Sequence, residues 1–162
     1  MIPFDLIRQV MIEGLASHLE VKIIEMNGIG KVLPYPFLTY DFTDEGSPTG
    51  HMAVNVVNDR YIHSGTVTLA VSFQIYADDR LSSVTLTNRA RDWFLTDGHR
   101  VLKDAANVVV VTVGASQNRD IQIGDEWERR NGFDVELRTI NQIEQAREII
   151  ETANLKGVDR IG

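Results

Sequence analysis

The chain has 162 residues, 43% of them hydrophobic, 24% charged and 7% aromatic, as expected of one domain spanning residues 1–162 with a core that needs neither disulfides nor a structural metal. It contains no cysteine, which excludes a disulfide framework, a thiolate metal site, an iron–sulfur cluster and a cysteine nucleophile, and is compatible with a reducing compartment. Sixteen Lys and Arg against 23 Asp and Glu give a net charge of -7, the wrong sign for a protein that binds by neutralising phosphates, so specific nucleic-acid binding is not expected. The opening residues lack a basic leader before an apolar run, and no stretch approaches about 18 apolar residues, so a soluble chain without a membrane or targeting segment is expected.

Pro3 suits a first helical turn, and Phe4, Ile7, Met11 and Leu15 follow at spacings of three and four, with Leu6, Val10 and Leu19 widening the apolar face. This predicts a helix ending near His18. Residues 21–25 are short and partly β-branched and lead into Asn27-Gly28-Ile29-Gly30, a strand followed by a turn. Pro34 and Pro36 favour extended backbone, and Leu38, Tyr40 and Phe42 then alternate with polar neighbours as in a half-buried strand. Residues 44–50 have almost nothing to bury and are expected to form a mobile surface loop.

The clearest period of two is Val67, Leu69, Val71, Phe73 and Ile75, a long strand with one buried face. Residues 52–57 are its expected partner, joined through Asn58-Asp59-Arg60. Asp78 or Asp79 supplies a cap for a second helix carrying Leu86, Ala90, Trp93 and Phe94 on one face, which Asp97-Gly98 is expected to end. Residues 108–113 form a β-branched run without alternation, predicting a strand buried on both faces. Phe133, Val135 and Leu137 mark another strand with a charged outer face. Ile143, Ala146, Ile150 and Ala153 fit a helix, whereas residues 149–155 also suit an extended edge. No internal repeat or change of composition marks a second domain.

The candidate chemistry is sparse. Gly28-Ile29-Gly30-Lys31 lacks the remaining parts of a phosphate loop and reads as a turn. His18, His51, His63 and His99 are scattered without metal-ligand spacing, although paired strands would bring His51 and His63 together. No Gly-x-Ser-x-Gly elbow is present. The carboxylates Asp41, Asp44, Glu45, Asp125, Glu126 and Glu128 read as solvated loop acids, with Mg²⁺ binding as the sharper alternative. Trp127, set among Asp, Glu and Arg in an expected loop, either plugs that loop or meets a partner. Adjacent Arg129 and Arg130 point to opposite sides of a strand. One of them is therefore expected to reach an acid of its own chain and the other to remain free for a neighbour.

From Arg91 onward the chain resembles tailed-bacteriophage neck and tail-terminator proteins. The resemblance is carried by Arg91-Asp92-Trp93-Phe94, the run Val108-Val109-Val110-Val111-Thr112-Val113, the turn Asn118-Arg119-Asp120, and Gly124-Asp125-Glu126-Trp127-Glu128-Arg129-Arg130-Asn131-Gly132-Phe133-Asp134-Val135. It implies a structural, non-enzymatic virion protein at the head–tail junction, assembled in the host bacterial cytoplasm. The subunit would form a homo-oligomeric ring, expected to be a hexamer, that caps the tail tube protein and joins it to the head–tail connector proteins. DNA would pass through this ring, and an acidic subunit suits a passage to which DNA must not stick. No catalytic residue, cofactor, metal or membrane is implied. The subunit-interface candidates are Asn118, Arg119, Asp120, Trp127, Glu128, Arg129 and Arg130. The expected fold is α+β, a mainly antiparallel twisted sheet flanked by at least two helices. Two alternatives remain: a metal-dependent hydrolase using loop carboxylates with His51 or His63, and a generic small binding module.

Overall fold

The computed structural model describes residues 1–26 and 33–148. The turn at Gly28 to Lys31 and the two readings of residues 149–155 lie outside the described residues. Among those described, three helices and seven strands build an α+β fold: α1 (Phe4–Leu19), β1 (Lys22–Glu25), β2 (Phe37–Val57), β3 (Arg60–Ala77), α2 (Arg80–Leu95), α3 (Asp97–Ala106), β4 (Val109–Val113), β5 (Gln117–Asn118), β6 (Ile121–Ile123) and β7 (Glu126–Ala146). The sheet is mixed and its main order is β1-β2-β3-β7-β4, with β5 and β6 also on β7. β1 runs parallel to β2, whereas the β2–β3, β3–β7, β4–β7, β5–β7 and β6–β7 pairs are antiparallel.

Alternation along the strands decides which face the helices cover. Leu69, Val71, Phe73 and Ile75 of β3, Phe133, Val135 and Leu137 of β7, and Leu38 and Tyr40 of β2 are buried together with Ile7, Met11, Leu15 and Leu19 of α1. α2 adds Ala90, Trp93 and Phe94, and the Phe94 ring lies 5.3 Å from Phe73 and 6.1 Å from Phe133. The face expected of α1 is thus the buried one, except that Leu6 is exposed at its edge. Asp79 caps α2, its carboxylate accepting from the Ser82 amide at 2.8 Å.

Five local expectations are corrected. Residues 44–50 belong to β2 and pair with β3 through register shifts between Phe42 and Asp44, Asp44 and Ser47, and Thr49 and Ala53. Backbone pairing to a long neighbour holds them extended although they bury little, and Pro48 is tolerated because β1 leaves this part of β2 at the sheet edge. Residues 53–57 pair with residues 60–64 across Asn58 and Asp59, both at positive φ, while Val67 to Tyr76 pairs with the first half of β2.

α2 ends at Leu95 with Thr96 as its cap, and Asp97-Gly98, expected to end it, instead opens α3, a third helix that the periodicity does not predict. A Cβ on Gly98 would lie 2.5 Å from Trp93 Cε3 and 2.7 Å from the Trp93 carbonyl, so the glycine serves close helix–helix packing as well as the turn. β4 is not buried on both faces: it lies at the sheet edge, with Val111 and Thr112 exposed around a register shift between Val110 and Thr112. Ile143 and Ala146 continue β7 in strand geometry, because residues 60–66 of β3 offer a pairing partner that a helix would leave unused.

Candidate subunit interface

β7 has 21 residues and spans roughly 70 Å at the rise of an extended strand, longer than the helical layer that covers its middle. Both of its ends therefore project. At the first end β6 folds back on β7 as a hairpin pairing Ile121 with Glu128, Gln122 with Trp127 and Ile123 with Glu126. At the other end residues 140–146 join residues 53–57 of β2 and 60–66 of β3 in a three-stranded arm.

The hairpin is tied down through one carboxylate. The Asp120 side chain is 6% exposed; it accepts from Arg129 Nη1 at 3.0 Å and from the Arg130 amide at 2.8 Å, and its carboxylate forms an ion pair with Arg80 at 3.5 Å. Asn118 Oδ1 accepts from the Asp120 amide at 2.9 Å, which makes the Asn-Arg-Asp turn. Arg119 lies on the sheet face opposite the helices, donating to Ser72 Oγ at 3.1 Å, the Phe73 carbonyl at 3.3 Å and Asp134 Oδ1 at 3.3 Å.

Arg130, on the other side of β7 from Arg129, pairs with Glu128 and sits 4.9 Å from the Tyr76 ring centroid. Tyr76 stacks on Phe37 at 4.6 Å and Phe37 on Tyr35 at 5.8 Å; the Tyr35 hydroxyl donates to Glu128 at 3.1 Å. Burial first, and then the bond to Glu128, push the Tyr35 hydroxyl above its ordinary pKa. The two arginines do point opposite ways, but both find carboxylates within the chain, so the expectation of one free arginine is corrected. The missed partner of Arg130 is Glu128, two residues earlier on the same strand face.

Trp127 is on a strand rather than in a loop, 53% exposed, with the Arg129 guanidinium 5.9 Å from its ring centroid. Ile121 and Ile123 are exposed on the opposite face of the hairpin. The apolar payload of this projection is thus offered outward on both sides.

On the arm, the strand face that is helix-covered at mid-sheet continues past the helices. Val54 opposite His63 and His63 opposite Ile143 place two exposed apolar side chains on it, and Met52 and Val56 are exposed nearby. Sequence reasoning did not place these residues at an interface; their signal is the hydrophobic composition of residues 52–57 and of Ile140 and Ile143, beyond the reach of any described helix. His63 bonds Gln145 at 3.0 Å, and among the described residues no group of three or more His, Asp or Glu is arranged to hold a metal. No described helix is long and apolar enough to cross a membrane.

Comparison with curated proteins gives no match. The model of the family described as phage neck terminator protein matches residues 4–161, nearly the whole chain, and the chain belongs to this family of structural proteins of the phage neck, at the junction of head and tail.

Proposed function

We propose that this subunit closes into a homo-oligomeric ring, a hexamer by the family resemblance, that caps the last ring of tail tube protein, halts its polymerisation and presents a surface to the head–tail connector proteins. Its role is mechanical, with DNA passing through the lumen, and assembly takes place in the host cytoplasm. One observation carries the ring: two unlike apolar surfaces, the Trp127 hairpin and the arm, stand at opposite ends of one strand. A heterologous contact needs two different patches per subunit, and such contacts close into rings when the rotation permits.

Within the interface Trp127 supplies direct contact. Asn118, Arg119, Asp120, Glu128, Arg129 and Arg130 hold the hairpin in position through the bonds described above. Solution mass, electron microscopy and capping of purified tail tubes test the reading. Closed rings, alone or on tubes, are expected; a chain that stays monomeric at high concentration and also fails to cap tubes would remove it.

A further inference from the structure

The arm carries a second surface, at the edge of β7 beside the end of α3 and the start of β4. Ile140 of β7 pairs with Thr66 of β3, and both line two adjoining shallow depressions of about 180 and 170 Å³. Lys103 and Arg138 line the first depression, and His51 and Ser64 line the second. No carboxylate lines either one, and among the described residues neither Lys103 nor Arg138 forms an ion pair; Lys103 donates only to Asn107 Oδ1, at 2.7 Å. In a chain of net charge -7 this is an apolar centre, 50% exposed at Ile140, with uncompensated positive charge beside it.

The opposite end of β7 has the complementary character. Asp125 and Glu126 form the tip of the β6–β7 hairpin, and among the described residues neither is in an ion pair. Ile123 pairs with Glu126 on one face and is 55% exposed, while Trp127 is exposed on the other. A projection that is apolar on both faces and acidic at its tip suits insertion between surfaces better than lying flat on one. Glu126 and Ile140 are separated by about 45 Å of extended strand, so one chain cannot satisfy both surfaces itself.

Resting on the ring reading above, we propose that the occupant of the Ile140 groove is a second copy of this chain, whose Asp125–Glu126 hairpin tip seats there. Its carboxylates meet Lys103 and Arg138, and its Ile123 packs on Ile140. The charges set the register and the apolar pair supplies the burial. Each subunit then gives its hairpin to one neighbour and its groove to the other.

The test uses the full chain at high concentration and on purified tail tubes. Arg138→Glu with Lys103→Glu, or Asp125→Lys with Glu126→Lys, should each weaken self-association by at least about tenfold, since like charges face one another across the contact. A mixture of the two doubly substituted chains should recover paired subunits, because the reversed tip meets the reversed groove. Melting curves identify any variant that fails to fold. As a second readout, the absence of native cysteine makes disulfide trapping free of background. A chain carrying both Glu126→Cys and Arg138→Cys should oxidise to a ladder of covalent multimers, and neither single variant should.

If the parent assembles but the reversals leave it unaffected and no ladder forms, this contact is overturned while the ring stands. The contact is likewise overturned if the groove reversal abolishes tube capping yet spares self-association, since the groove then belongs to another virion protein. If the parent neither assembles nor caps tubes and no ladder forms, both readings fall.

Discussion

Arg119 and Gly132 occupy one volume on the outer face of the sheet. A Cβ built on Gly132 would stand 2.5 Å from Arg119 Nη1 and 2.6 Å from the Phe73 carbonyl oxygen. The guanidinium can lie flat across β3 and β7 and reach Ser72, Phe73 and Asp134 because residue 132 has no side chain.

Gly132→Ala therefore forces either the guanidinium or the β3 backbone to move. We expect a loss of about 1–3 kcal/mol, as for other overpacked sites, measured by urea unfolding. If Arg119 alone absorbs the methyl group, Arg119→Ala made first will erase most of the penalty; a penalty that persists in that background assigns it to the Phe73 carbonyl.

Asp120 gathers two hydrogen-bond donors and the Arg80 ion pair, and Asp120→Asn keeps its size while weakening all three contacts. Arg80 and Arg129 are half-exposed and recover hydration, so the cost is about 2 kcal/mol, below that of stranding a buried charge. Amide exchange should accelerate in residues 118–130 with little change in β3. Arg129→Ala should cost under about 1 kcal/mol, its partner bond being partly exposed. Arg130→Ala should cost about 1–2 kcal/mol, because the Tyr76 contact is lost with the Glu128 pair.

The Asp79 carboxylate is held below its ordinary pKa of 3.8, first by the Ser82 amide and then by the Ser82 hydroxyl. A lowered folded pKa means that its stabilisation is present above about pH 4 and disappears as pH falls through the folded value. Asp79→Asn should lower the melting temperature near neutral pH, and the gap from the parent should close as acid protonates the folded-state carboxylate. A gap independent of pH would show that charge at the cap contributes nothing.

Trp127→Ala removes a side chain that is 53% exposed in the single chain. Monomer stability should change by about 0.5 kcal/mol or less, whereas ring formation or tube capping should weaken by about 2 kcal/mol, roughly thirtyfold, as for a central aromatic contact. Equal losses in both measurements would make Trp127 part of the hairpin's own packing.

The elements legible in the bare sequence are those whose pattern reports their own burial. Ile7, Met11 and Leu15 at helical spacing, Val67 to Ile75 in alternation, and Phe133, Val135 and Leu137 each face the core as their periodicity requires. The Asn-Arg-Asp and Glu-Arg-Arg segments likewise stand out by composition. What these segments contact is set by the fold, because a charge run carries no information about its partner. Asp120 meets Arg80 across 40 positions only because pairing of β5 and β6 with β7 brings the turn between them beside the start of α2.

The fold also makes strand of residues 44–50 and 143–146, which bury little and are held by the ladder of β3. Their local sequence has no periodicity from which that neighbour could be inferred. The two projecting ends of β7 arise the same way. Strand length is read from pairing, helix length from periodicity, and only the folded chain shows that the sheet outruns its helical cover and leaves apolar residues at both ends.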